Sequence, residues 1–398
     1  MMGLGENLFK IWRIALMVMS VALLLYGVTS LVVTQIIFKL FCVNNSVKLQ
    51  HGINLTKRSF ISLLISILVM VAPSSVRITT DNTSISKGTF FKSNGNIKST
   101  LKKRNIIFAN HQIYTDWVFL WWLSSTSNLA GNIFIILKKS LESIPVFGYG
   151  MKNYKFIFLS RKWAQDEIAL HNGLGSIDAD SRGEGPLSNK KPIHSDPDGK
   201  LYWNTADVDK SQYHWPYSLI LFPEGTNLSA NTRQKSAAYA AKTDKVPFQN
   251  VLLPHITGLR TAIQLLKPSL EAVYDITIGY SGVKKEEYGE LVYRLPNIFI
   301  KGKSPKLVDM HIRAFNVTDI PCDDEEEFTK WLYNVWQEKD DLMETYYKKG
   351  SFDLDPELDH SVMGKFEMSP LPFLFTSLFP AIFFSALFGV AYLLFIKR

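Results

Sequence analysis

The sequence predicts an α/β domain whose sheet is covered by helices on both faces, tied to a membrane by apolar segments at both ends of the chain. Three observations carry this. Short apolar runs suited to buried strands alternate with helix-like stretches between residues 106 and 278. Residues 14–38 hold no charged side chain, and neither do residues 368–396. Apolar residues are 46% of the 398-residue chain, and they concentrate in these stretches.

The first uncharged run is long enough to cross a hydrocarbon core of about 30 Å. It exceeds the roughly 7–15 apolar residues of a signal peptide and lacks a small-x-small site behind it, so a retained anchor is expected. Residues 60–73 are apolar over about half a span, which predicts an interfacial or re-entrant helix and an N-terminal membrane anchor over 1–75. Segments 106–109, 133–137, 156–159, 219–222, 251–253 and 273–278 are expected as strands and 115–124 as a helix, within a catalytic domain over 85–320. Residues 172–213 are polar and rich in turn formers, and predict a surface insertion. A charged helical region follows over 321–367, with Phe328, Leu332, Trp336 and Leu342 as apolar contacts. The last segment, 368–396, is interrupted by Pro370, Pro372 and Pro380; it either spans or dips in and returns.

The net charge is +8, with clusters at Lys102-Lys103-Arg104, Lys138-Lys139 and Arg161-Lys162. Such an excess suits nucleic acid, anionic lipid or a phosphate-bearing substrate. The apolar ends favour lipid, and no nucleic-acid motif occurs, so no nucleic-acid partner is expected. Cys42 and Cys322, the only two cysteines, exclude a disulfide framework and a cysteine-based zinc site. Lys39, Lys48, Lys57 and Arg58 follow the first span against Lys10 and Arg13 before it, which predicts a cytosolic downstream face. A glycan on Asn227-Leu228-Ser229 would obstruct the adjacent motif, which points the same way.

Two motifs carry chemistry. Asn110-His111-Gln112-Ile113-Tyr114-Thr115-Asp116 offers a His and an Asp after a short strand. A neutral imidazole can take a proton from an attacking hydroxyl near pH 7, and a carboxylate can hold its other nitrogen. A packing or capping histidine fits the same spacing. Phe222-Pro223-Glu224-Gly225-Thr226 offers a carboxylate and a turn in which Gly225 allows close approach of the backbone. Glu224 either accepts hydrogen bonds from acceptor hydroxyls or holds the loop. Trp117, Trp121 and Trp122 form either an interfacial face or core packing.

Together with Phe156-Ile157-Phe158-Leu159-Ser160-Arg161-Lys162-Trp163 and Val251-Leu252-Leu253-Pro254-His255-Ile256-Thr257-Gly258, the two motifs form four ordered blocks. The chain resembles the glycerolipid acyltransferase family that includes 1-acylglycerol-3-phosphate acyltransferases. Asp116-Trp117-Val118-Phe119-Leu120-Trp121, Leu137-Lys138-Lys139-Ser140-Leu141, Asn231-Thr232 and Ala272-Val273-Tyr274-Asp275-Ile276-Thr277 are similar to its lysocardiolipin and lysophosphatidylinositol branch. The resemblance implies a mixed sheet flanked by helices, His111 as base and Asp116 as its orienter, with no covalent acyl-enzyme. It implies acyl-CoA as co-substrate, a lysophospholipid acceptor drawn from membrane phospholipid, no metal or other cofactor, and an endoplasmic reticulum membrane location. It implies that Arg161, with Lys162 and Lys138, meets the acceptor phosphate, and that Glu224, Gly225 and Thr226 shape the acceptor site.

Many family members carry Arg where this chain has Asn227, and again where it has His255. A diester phosphate, with one negative charge, needs less cationic clamping. The expected acceptor is therefore lysophosphatidylinositol; the alternatives are a lysophosphatidate acyltransferase and an inactive lipid-binding scaffold of the same fold.

Overall fold

The computed structural model describes residues 2–396 apart from 82, 161, 206–214 and 353–359. In chain order the strands are β1 (Ser75–Thr80), β2 (Phe90–Ser93), β3 (Asn96–Ser99), β4 (Arg104–Ala109), β5 (Ile133–Lys138), β6 (Ile157–Leu159), β7 (His194–Ser195), β8 (Leu201–Tyr202), β9 (Tyr217–Leu221), β10 (Ala272–Tyr280), β11 (Leu307–Phe315) and β12 (His360–Lys365). Eight of them form one mixed sheet in the order β12-β1-β11-β10-β4-β9-β5-β6. From β10 to β6 every neighbour is parallel, so these five strands end at one edge of the sheet. β11 runs antiparallel to β10 and parallel to β1, and β12 closes the edge antiparallel to β1.

The helices are α1 (Met2–Phe41), α2 (Ser46–Val71), α3 (Asp116–Ser125), α4 (Phe147–Asn153), α5 (Trp163–Ser181), α6 (Ala230–Lys242), α7 (Ile256–Leu266), α8 (Gly289–Val292), α9 (Leu295–Phe299), α10 (Glu325–Lys349) and α11 (Leu371–Ile396). Side chains alternate across a strand. On β4, Ile107 and Ala109 accordingly join the core beneath α2 and α3, while Ile106 and Phe108 join the core beneath α5, α7 and α10. Burial on both faces explains the unbroken apolar stretches 106–109 of β4 and 219–221 of β9, while β10 buries Asp275 and Thr277 among its apolar residues.

Three expectations need correction. The short helix at 60–73 is the second half of α2, which begins at Ser46. Polar residues hide the first half from a search for apolar runs, and one of them, Lys57, is wholly buried. Its ammonium donates to the Ile133 carbonyl at 2.7 Å and lies 4.4 Å from the Phe134 ring centre. The expected insertion at 172–213 is helical at its start, because α5 continues to Ser181 and is closed by a buried Asp178–Arg182 pair at 2.7 Å. A β7–β8 hairpin follows. Residues 251–253 form no strand: the Asp340 carboxylate takes the N–H groups of Gln249, Asn250 and Val251, and Ser236 Oγ takes that of Leu253. With those donors satisfied by side chains, the segment has no need of a sheet partner. The sheet also draws β1 from before residue 85 and β12 from after residue 320.

α1, α2 and α11 are long and apolar enough to cross a membrane, and mark the chain as a membrane protein. They pack on one another through Val28, Leu63, Ile67 and Phe373. Pro380 lies inside α11 without ending it. α2 also lines the α/β domain along its length. Ser46 donates to Leu187 O at 3.1 Å, Tyr154 donates to Thr56 O at 3.0 Å, and Arg13 of α1 reaches Val71 O at 3.1 Å and Phe299 O at 3.0 Å. The outer faces of α1 and α11 leave Trp12, Val18, Leu25, Phe375, Leu378 and Phe388 exposed, an apolar surface that suits lipid.

Candidate functional site

The site lies where the parallel strands end. Beyond β4, the Asn110 amide takes over the strand's pairing with β10: its Oδ1 accepts from Ile278 N at 2.8 Å and its Nδ2 donates to Ile278 O at 3.1 Å. This holds the chain in register up to His111. His111 Nδ1 then donates to Asp116 Oδ2 at 2.7 Å. The same oxygen accepts from Gln112 N at 2.6 Å and Ile113 N at 3.0 Å, and Tyr280 OH donates to Oδ1. Asp116 is fully buried and lies in the first turn of α3, where the helix dipole favours a negative charge. With Nδ1 engaged, the imidazole presents Nε2; the ring is partly exposed and stacks on Phe222 with centroids 4.4 Å apart. Next to Asp116, burial and that carboxylate push the Tyr280 hydroxyl well above its usual range, so it stays a donor.

β9 delivers Phe222-Pro223-Glu224-Gly225-Thr226 beside this pair. Gly225 has φ +67°, the left-handed region, and a Cβ there would meet the His255 ring at 3.2 Å. His255 N donates to Pro223 O at 2.7 Å, which ties the fourth block to the turn. Leu228 N donates to His111 O at 2.8 Å, which joins the two motif loops. Glu224 is 2% exposed and neither carboxyl oxygen closes a hydrogen bond. Burial drives its carboxyl well above the ordinary range, opposed by the nearby N–H groups of His111 and Leu252 and by the charge of Lys339, so the site favours its protonated form.

The other expected residues share the same edge of the sheet. Lys138 ends β5, and exposed Lys162 follows β6. Successive strands stand about 4.8 Å apart, so β4, β9, β5 and β6 set His111, Glu224, Lys138 and Lys162 in a row. Arg161 lies outside the described residues. Trp121 and Trp122 are core residues: their ring N–H groups donate to Ala130 O and Glu367 O, and Trp121 packs on Phe60 of α2. Among the described residues no group of three His, Cys, Asp or Glu side chains gathers that could hold a metal ion.

A family model described as Acyltransferase matches residues 89–281, and one described as Acyltransferase C-terminus matches 299–378. A Saccharomyces cerevisiae protein named 2-acyl-1-lysophosphatidylinositol acyltransferase is 57% identical over 362 residues, 90% of this chain and 91% of that one. The chain belongs to the acyltransferase family. A probable 1-acyl-sn-glycerol-3-phosphate acyltransferase of Arabidopsis thaliana is 32% identical over 64% of this acyltransferase and 56% of its own length. A lysocardiolipin acyltransferase of Gallus gallus is 28% identical over 62% and 55%.

Sequence motifs did not single out several residues that build the acyltransferase's site. Tyr280, at the end of β10, completes the shell around Asp116. Lys339 and Asp340 of α10 reach beneath the site from some 115 residues downstream of Glu224. Lys339 is fully buried, pairs with Asp275 and donates to Ile276 O at 2.7 Å. Arg313 holds the other oxygen of Asp275 at 2.7 Å. The only linear signal for Lys339 was a lysine on the apolar stripe of an otherwise amphipathic helix.

Proposed function

We propose that this acyltransferase moves an acyl group from acyl-CoA to a free glycerol hydroxyl of a lysophospholipid, with lysophosphatidylinositol as the acceptor. One observation carries the chemistry: His111 Nδ1 is 2.7 Å from a fully buried carboxylate that has three further donors, so Nε2 is turned outward as a base of fixed tautomer. The acceptor follows the name of the 57% identical relative. His111 Nε2 takes the hydroxyl proton as the oxygen attacks the thioester carbonyl. Asp116 stabilises the imidazolium. The C–S bond then breaks, and the departing CoA thiolate receives the proton back from Nε2. A thioester is already activated, so the step needs no enzyme nucleophile; among the described residues no Ser or Cys is hydrogen-bonded to His111. Lys138, Lys162 and Arg161 supply cations for the acceptor phosphate, while Glu224, Gly225 and Thr226 shape the acceptor side. The enzyme works at the endoplasmic reticulum membrane with its α/β domain in the cytosol, a reading supported by the basic excess after the first apolar segment.

The test is acyl transfer by isolated membranes from labelled acyl-CoA to a panel of lysolipids. His111→Ala is expected to cut transfer by about 10²–10⁴-fold, the usual share of a positioned general base, with the protein still membrane-bound. Transfer near the wild-type rate in that variant would overturn the assignment of the base. Free fatty acid released without an acceptor would make the protein a hydrolase.

A further inference from the structure

At the mouth of the site a single carboxylate clasps both motif loops. Gly289 seats α8 directly on the His111 loop; a Cβ there would come within 2.8 Å of Ile113 Cγ2 and 3.0 Å of Gln112 O. The next residue is Glu290. Its Oε2 accepts from Tyr114 OH at 3.1 Å and also from Asn227 Nδ2. Tyr114 belongs to the His111 loop, and Asn227 directly follows Thr226. Tyr114 is 55% exposed and Glu290 is half-buried, so the clasp sits on the solvent side of the loops.

Both bonds converge on Oε2. Among the described residues Oε1 has no hydrogen-bond partner, and no cation pairs with Glu290. Two nearby basic residues are engaged elsewhere: Lys285 pairs with Glu344 at 2.7 Å, and Arg233 donates to Gln249 O and stacks over Tyr288. The mouth therefore offers an oriented, unneutralised carboxylate with one oxygen open.

We infer that Glu290, held by Tyr114 and Asn227, selects the acceptor's head group. This rests on the lysophospholipid reading above. A carboxylate accepts only, from hydroxyl or N–H donors alike. A polyol head group on a phosphodiester brings several hydroxyls and a single negative charge. A phosphomonoester brings no hydroxyl beyond the glycerol, and a charge of about −1.5 to −2 that the carboxylate repels. Attraction for one acceptor and repulsion of the other thus come from the same side chain.

The experiment measures kcat/KM for lysophosphatidylinositol and for lysophosphatidate, with the same acyl-CoA, in membranes carrying wild type, Glu290→Gln or Glu290→Ala. Gln keeps the shape but removes the charge and turns an acceptor into a donor. Either variant is expected to lower the inositol-to-phosphatidate ratio by about tenfold, since a hydrogen bond to a charged group is worth that much. In Glu290→Gln the rate with lysophosphatidate should also rise. A ratio that stays at the wild-type level while both rates fall together would make Glu290 a brace between loops and overturn the inference. Wild-type enzyme with no preference for the polyol acceptor would instead overturn the proposed acceptor itself.

Discussion

His111 owes its geometry to the four donors gathered on Asp116, and each can be weighed. Asp116→Asn keeps the shape but presents an amide to the imidazole, which disturbs the tautomer. A kcat loss of about 10⁴-fold with little change in acceptor KM is expected, by the precedent of Asp-to-Asn changes in His–Asp pairs. Tyr280→Phe removes one neutral donor of the set and should cost less than about tenfold. Glu224 makes a different prediction. Its folded-state pKa is raised, so the folded chain binds that proton more tightly than the unfolded chain does. The associated stability is full below the ordinary carboxylate value, about 4.3, and is lost as pH rises toward the raised one. Glu224→Gln cannot titrate. Its melting temperature relative to wild type, measured in detergent, should therefore climb with pH across that window, and a constant difference would contradict a raised carboxyl at Glu224.

α10 does the work of a foundation rather than of a surface helix. Phe328, Leu332, Trp336 and Met343 bury one stripe against the sheet, as amphipathic spacing requires. Leu342 packs only partly buried beside them. From the same helix Lys339 neutralises Asp275 beneath the site, and Asp340 gathers the N–H groups of residues 249–251. Asp340→Ala would leave the N–H groups of buried Asn250 and Val251 without partners, while that of exposed Gln249 can turn to water. At about 1–3 kcal/mol for each unsatisfied group, a loss of at least about 2 kcal/mol is expected, read as a lowered midpoint in denaturant. The segment before Pro254 should loosen at the same time, visible as faster amide exchange at 249–253. The helix also shows why the two matched family regions form one unit: the strand-and-loop site in the first rests on charges supplied by the second.

For the molecule as a whole, three long apolar helices sit on one flank of the α/β domain, and their relation to it differs. Half of the apolar window of α2 is buried, against 17% for α11. α2 is thus shared between domain and bundle, whereas α11 presents most of its surface outward. Removal of α11 should weaken retention in the membrane pellet at high pH more than it harms the domain's fold, measured by carbonate extraction beside protease resistance of the α/β domain over 75–365. In sealed microsomes, added protease should cut within 182–213 without detergent; full protection would place the domain on the lumenal side.

Much of this architecture is legible in the linear chain. Apolar runs mark buried strands because burial on both faces leaves no polar alternation, and uncharged runs of more than twenty residues mark membrane helices because charge is costly in hydrocarbon. The His111–Asp116 pair and the Glu224 turn are local in sequence, so their loops could be placed from spacing alone. What spacing could not decide was what lies across from them. Tyr280, Glu290 and Lys339 come to the site from distant strands and helices, and a carboxyl such as Glu224 looks like an exposed acceptor until its neighbours are known. The sequence by itself determined the acyltransferase family and the apolar membrane helices, because both follow from residue type and local order. Only the tertiary structure decided which carboxyl gathers four donors, which is buried without a partner and which clasps the two motif loops, because desolvation and partner donors depend on packing between segments far apart in the chain.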